Sequence, residues 1–216
     1  PDLRGHGHSD KTKNKNLYEL AKFTQDLRSI IAQEEIDRPI LIGYSFGGYV
    51  ALDYAIKYPD SASALILIST NHINPLHYRM IGFLAKPARL VLDATAFLLL
   101  WQKRKNYYYY NQKKDLGYWR SAFKGLLTMP LSVNFWMIGQ GLAIDFRGDL
   151  NKIIIPILLL KSKDDPFVSG REAEDMKKNI KNSELHIIEA NSHYLASRDQ
   201  KKIVNIIFDF IAKRVS

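Results

Sequence analysis

Three short runs of branched aliphatic residues set the strongest limit on what this chain can fold into. They are Pro39–Ile42 (PILI), Ala64–Ser69 (ALILIS) and Ile153–Leu160, which contains IPILLL. A strand with one face in water alternates apolar and polar side chains, whereas a parallel strand covered on both faces reads as a continuous apolar run. A fourth segment, Glu184–Glu189, also reads as a strand. Between these runs lie stretches of helical spacing. Leu17–Gln33 places Leu17, Leu20, Phe23, Leu27, Ile30 and Ile31 on one side, with Asn16 as its N-cap. Tyr49–Tyr58 is stopped by Pro59, Gly170–Asn179 is a further helix, and Lys201–Arg214 closes the chain with Ile203, Ile206, Ile207, Phe210 and Ile211 on one side. Strand-helix alternation of this kind predicts an α/β architecture, a mostly parallel sheet with flanking helices. Pro156 fits only an edge strand or a strand beginning.

The rhythm breaks at Asn71–Leu150. This stretch has no strand-helix alternation and is rich in aromatics, among them Trp101, Tyr107–Tyr110, Tyr118, Trp119, Phe123, Phe135 and Trp136. It reads as an inserted helical cap. The chain is therefore expected to divide into a first core part (1–70), a cap (71–150) and a second core part (151–216).

Composition closes off several other classes. With no cysteine among 216 residues, thiolate catalysis, iron–sulfur clusters and Cys-type zinc sites are excluded. The six histidines include no H-x-x-x-H pair, so no metal site is expected. His6 reads as structural, His72 and His77 as surface residues at the entry to the insertion, and His186 as a satisfied sheet position. The net charge of +9 comes from scattered lysine clusters without a helix-turn-helix, RNP or zinc-finger pattern, so no nucleic-acid partner is expected. Lys103–Lys105 follows the apolar run Ala94–Trp101. That run is far short of the ~20 residues of a membrane span, yet it fits weak contact with an anionic membrane surface. With no signal peptide in view, the expected location is the cytoplasm.

The chemistry sits at the strand ends. Gly43-Tyr44-Ser45-Phe46-Gly47 fits G-x-S-x-G and joins a buried strand directly to a helix, the context of a nucleophile elbow. Gly43 and Gly47 are expected to leave room where side chains would collide across the turn. The helix that follows turns its positive end toward any oxyanion forming at Ser45. An acid and then a histidine should follow in chain order. Past Ile153–Leu160 comes Lys161-Ser-Lys-Asp164-Asp165-Pro-Phe-Val168, and past Glu184–Glu189 comes Ala190-Asn-Ser192-His193. A group placed past the C-terminal end of a parallel strand faces the crevice where such sheets bind ligands.

These motifs resemble the α/β-hydrolase superfamily, in particular its helical-capped members, over essentially the whole chain. PDLRGHGHSD is similar to the family's D-x-R-G-x-G-x-S loop, GYSFGG to its elbow, KSKDDPFV to its acid loop and NSHY to its histidine loop. Ser162 and Ser192 stand where the family has glycine. The resemblance implies that Ser45 is the nucleophile, Asp165 (with Asp164 as the alternative) the acid, and His193 the base. The Phe46 backbone N–H would be one oxyanion donor. The family's second donor lies in a loop ahead of D-x-R-G-x-G-x-S, where this chain begins. The expectation is thus a chain truncated at its N-terminus, lacking the first strands and that donor, on the order of 50 residues, and prone by itself to aggregate through exposed strand edges.

The implied activity is hydrolysis of a small carboxylic ester with an apolar acyl or aryl part, without a cofactor, with Tyr44, Phe46 and Trp136 lining the substrate pocket. A C–C bond hydrolase, lyase, thioesterase or acyltransferase on the same triad is the alternative, and an inactive fragment or non-catalytic binding module is another. Epoxide hydrolases and haloalkane dehalogenases of the superfamily look for Asp at the position of Ser45.

Overall fold

A computed structural model of the chain describes residues 1–101, 129–189, 193, 195 and 200–215. Lys103–Lys105, Tyr107–Tyr110, Tyr118, Trp119, Phe123 and Ser192 lie outside the described residues. In chain order the regular elements are α1 (Leu20–Gln33), β1 (Ile40–Tyr44), α2 (Phe46–Lys57), β2 (Ala64–Ile68), α3 (Ala85–Leu98), α4 (Leu131–Gly141), β3 (Ile157–Ser162), α5 (Gly170–Asn179), β4 (Ser183–Ile188) and α6 (Gln200–Arg214).

The strands pair in the order β1-β2-β3-β4, every pair parallel. Ala64, Ile66, Ile68, Leu158, Leu160 and Ile188 form one face and pack with Ile203 and Phe210 of α6. Leu65, Leu67, Ile157 and Leu159 alternate with them and are equally buried. That two-sided burial is why the runs carry no polar alternation.

The elements depart from the expected bounds for local reasons. Pro156 precedes β3 rather than interrupting it, and its carbonyl accepts the Leu65 N–H at 2.9 Å. Beyond the apolar run, β3 continues through Lys161 and Ser162, both buried. Helix α2 starts at Phe46, three residues ahead of Tyr49, because the two glycines of the elbow already adopt helical backbone. Asn16 is not an N-cap: the Asn14 side chain accepts its N–H and opens a 3-10 turn at Lys15–Tyr18, and α1 follows.

The chain forms two compact units. One comprises Pro1–Phe23 and Leu84–Ala143, the other Thr24–Phe83 and Ile144–Ser216. These divisions differ from those expected at residues 70 and 150. The segment leaving β2 stays with the sheet as far as Phe83, because Phe146 N–H donates to His72 O at 2.8 Å and Asn74 N–H to Ile144 O at 2.9 Å. His72, expected at the surface, is fully buried, with its Nε2 2.8 Å from Asp175 Oδ2.

In the first unit α3 packs on α4, and Tyr18 packs on Trp136 with ring centroids 5.4 Å apart. Gly5 takes φ +83, and a Cβ there would meet Val133 Cγ1 at 2.7 Å, so the loop can approach α4 only as glycine. His6 keeps its Nδ1 3.2 Å from Arg4 O, and burial holds its pKa below the ordinary value. No helix among the described residues is long and apolar enough to cross a membrane.

Candidate active site

Because the four strands run parallel, whatever follows each strand gathers at one edge of the sheet. Ser45 follows β1, Ser69–Asn71 follow β2, the Lys163–Ser169 loop follows β3, and His193 comes after β4. All of these belong to the second unit.

Ser45 is the N-cap of α2 and sits at φ 49, ψ −115, in the left-handed half of backbone space. Such a conformation is costly for a residue with a Cβ and persists only where its surroundings hold it. They do so from two sides. Ser45 N–H donates to Ile68 O at 2.9 Å, and Thr70 Oγ1 donates to Ser45 O at 3.0 Å. A Cβ on Gly43 would lie 2.6 Å from Gly48 Cα, and one on Gly48 would lie 2.0 Å from Thr70 Oγ1. At Gly47 a Cβ would meet nothing within 4 Å. The steric demand expected of Gly43 and Gly47 therefore falls on Gly43 and Gly48.

Ser45 Oγ lies 3.0 Å from His193 Nε2, and His193 Nδ1 lies 3.0 Å from both Asp165 carboxylate oxygens. An ionised carboxylate only accepts, so Nδ1 carries the proton and Nε2 is left to accept from the serine hydroxyl. Asp165 and His193 are each 8% exposed. Asp164, the alternative acid, is exposed and makes no such contact among the described interactions. Burial alone would raise the Asp165 pKa. The hydrogen bond and charge of His193, with the N–H groups of Phe167 at 2.8 Å and Val168 at 3.1 Å, outweigh it, and the net direction is downward.

Three contacts to His193 were not legible along the chain. Tyr44 Oη donates to the His193 carbonyl at 3.1 Å, and Ser69 Oγ donates to the same oxygen at 2.9 Å. The Phe167 ring stands edge-on to the imidazole, centroids 5.0 Å apart. Of the residues expected to line the substrate pocket, Tyr44 is thus engaged by His193, and Phe46 meets Tyr49 edge-on at 6.0 Å. Trp136 is 3% exposed and packs inside the first unit, so its aromatic surface is spent on that core. A cleft of about 370 Å³ opens on the acid loop at Asp165, Phe167 and Glu172, but neither Ser45 nor His193 lines it.

A parallel sheet with flanking helices, a strained serine at a strand-helix elbow, and an acid and a histidine on the two following strand-end loops define an α/β-hydrolase architecture. The chain belongs to the alpha/beta hydrolase fold family, whose pattern matches residues 1–197. It is 25% identical over 241 residues to epoxide hydrolase 3 of Xenopus tropicalis, a match covering 97% of this chain and 62% of that protein. Over 69 residues it is 41% identical to a putative 2-succinyl-6-hydroxy-2,4-cyclohexadiene-1-carboxylate synthase of Bacillus subtilis, covering 32% of this chain and 25% of the synthase. The chain thus spans less than two thirds of either relative. Among solved structures it is similar to MenH from S. aureus, with TM-score 0.72 and 25% identity, covering 98% of this chain and 82% of that one.

Proposed function

We propose that this chain carries a serine hydrolase site in which Ser45 is the nucleophile, His193 the general base and Asp165 the residue that orients and charges the imidazole, with a small carboxylic ester bearing an apolar acyl or aryl part as substrate. The observation that supports this most directly is the continuous relay from Ser45 Oγ through His193 to Asp165, 3.0 Å at each link.

In this reading His193 Nε2 takes the serine proton as Oγ attacks the ester carbonyl. The carbonyl oxygen becomes an oxyanion beside the first turn of α2, where the Phe46 N–H would donate to it. The imidazolium, stabilised by Asp165, gives its proton to the leaving alkoxide. Water, deprotonated by His193 in turn, then releases the acid from Ser45. The likeness to an epoxide hydrolase carries over the fold rather than the reaction, because a hydroxyl stands at Ser45 where epoxide opening in this superfamily looks for a carboxylate.

A second reading is a lyase on the same three residues, since a fold and a triad geometry do not by themselves fix the reaction. There His193 would remove a proton from a carbon of the bound substrate, and the freed electron pair would form a double bond as a leaving group departs from the adjacent carbon, with no acyl-enzyme on Ser45. The two separate cleanly. A fluorophosphonate probe should label the protein at Ser45, and Ser45→Ala should abolish both labelling and turnover of p-nitrophenyl esters. Strong labelling without burst or turnover on any ester of a chain-length series would favour the lyase. Labelling that survives Ser45→Ala would remove both.

A further inference from the structure

Among the buried polar side chains of the second unit outside the triad, three converge on the loop that carries Asp165. Lys161 is 3% exposed, and Asn71 and Glu172 are each 1% exposed. Groups of this kind are rarely buried, because each loses its hydration and must recover it in hydrogen bonds. These three come from different elements: Lys161 from β3, Asn71 from the segment after β2, and Glu172 from α5. Yet each ends on the backbone of one short loop, Lys163–Ser169, which carries Asp165. Lys161 Nζ donates to Lys163 O at 3.2 Å, at the start of the loop. Asn71 Nδ2 donates to Phe167 O at 3.4 Å, in its middle. Glu172 Oε2 accepts the Ser169 N–H at 2.6 Å, at its end.

Two of the anchors, Asn71 and Glu172, are also joined to the nucleophile's helix. Asn71 Nδ2 reaches Glu172 Oε1 at 3.4 Å, and Asn71 Oδ1 accepts the hydroxyl of Tyr49, one turn into α2. One buried amide therefore links the helix that begins at Ser45 to the loop that presents Asp165. Within the loop, Asp165 Oδ1 accepts two backbone N–H groups, and the Phe167 ring rests on His193. Any slippage of the Phe167 peptide would disturb the carboxylate and the ring together.

We propose that Lys161, Asn71 and Glu172 are positioning residues that hold the acid loop from behind at its first, middle and last peptides, with Asn71 as the hub through Tyr49. Their task is to keep Asp165 and Phe167 in one geometry against His193. This inference rests on the triad reading. A buried hydrogen-bonded network of this type specifies one arrangement where a loop held only by solvated backbone would sample several. A displacement near 1 Å at a reacting group costs up to about 100-fold in rate.

The test is fluorophosphonate labelling of Ser45 in the full chain, resolved into the inactivation rate (kinact) and the probe's apparent affinity (KI). Lys161→Met and Glu172→Leu should lower kinact by about 10- to 100-fold with KI unchanged. Tyr49→Phe, which removes only the hydroxyl, should lower it several-fold. Glu172→Gln keeps an oxygen to accept the Ser169 N–H and should restore most of the rate. Tyr49→Phe and Glu172→Gln are close to isosteric, so they report even where Glu172→Leu does not fold. Folded Lys161→Met and Tyr49→Phe proteins with parental kinact would overturn the proposal. So would an effect confined to KI, or Glu172→Gln falling as far as Glu172→Leu. Failure of the triad reading looks different: labelling would persist in Ser45→Ala.

Discussion

Ser69 Oγ donates to the carbonyl oxygen of His193 at 2.9 Å across 124 residues of chain, and it does so from a left-handed backbone, φ 49. Tyr44 Oη reaches the same oxygen at 3.1 Å. Two hydroxyls on the ends of neighbouring strands thus fix the peptide that bears the imidazole. Ser69→Ala and Tyr44→Phe should each cost about 0.5–1.5 kcal/mol in denaturant unfolding. The double variant should lose more than the sum, because the buried carbonyl then has neither donor. Additive losses in a double-mutant cycle would mean that the hydroxyls do not share this task.

Asp165 and Asp164 are neighbours in sequence with opposite surroundings, one buried against His193 and the other in solvent. Asp165→Asn should keep the fold and lower the Ser45 labelling rate by about 10⁴, because an amide favours the wrong imidazole tautomer. Asp164→Asn should leave the rate near that of the parent chain. The reverse ranking would transfer the acid role to Asp164.

Acidification should act on stability through His72. Burial holds its pKa below 6.5, with Asp175 opposing that shift. Above 6.5 the group is neutral in both folded and unfolded chains. As pH falls below 6.5 the unfolded chain takes up the proton first, so stability is lost from there down to the folded value. Calorimetry across this window should show a falling Tm, and His72→Gln should flatten the fall. An equal slope in both proteins would assign the loss to other groups.

Glu172 has the opposite sign. Burial raises its pKa above 4.5, with the Ser169 backbone N–H opposing. The folded chain holds this proton more tightly, so the contribution is full below 4.5 and declines as pH rises through the folded value. The Tm of Glu172→Gln should therefore gain on that of the parent as pH rises from 4.5 toward neutrality. A gap that narrows over this range would contradict the assignment.

The elbow glycines should separate sharply. Gly48→Ala drives a Cβ into Thr70, the residue that holds the Ser45 carbonyl, and should cost about 1–3 kcal/mol together with labelling. Gly47→Ala meets open space in the first turn of a helix and should be neutral or slightly stabilising. Similar melting temperatures for the two variants would count against this packing.

Local physics explains how much could be read along the chain. Continuous apolar runs announced the parallel strands, since two-sided burial removes alternation over the same few residues that form the strand. Parallel strands gather their C-terminal ends at one edge, so the order Ser45, Asp165, His193 already implied a meeting place. Every feature that depends on partners far apart in sequence came only with the fold. Gly48 rather than Gly47 is the crowded glycine because Thr70 arrives from the segment that follows β2. His72 is buried because Asp145–Phe146 and Asp175 close over it. Trp136 belongs to a core because Tyr18, far earlier in the chain, packs on it. Ser69 and Asn71 carry no motif, and no motif told the contacts of Tyr44, Lys161 and Glu172, since a hydroxyl, amide, amine or carboxyl acquires its role from the backbone group that packing sets before it.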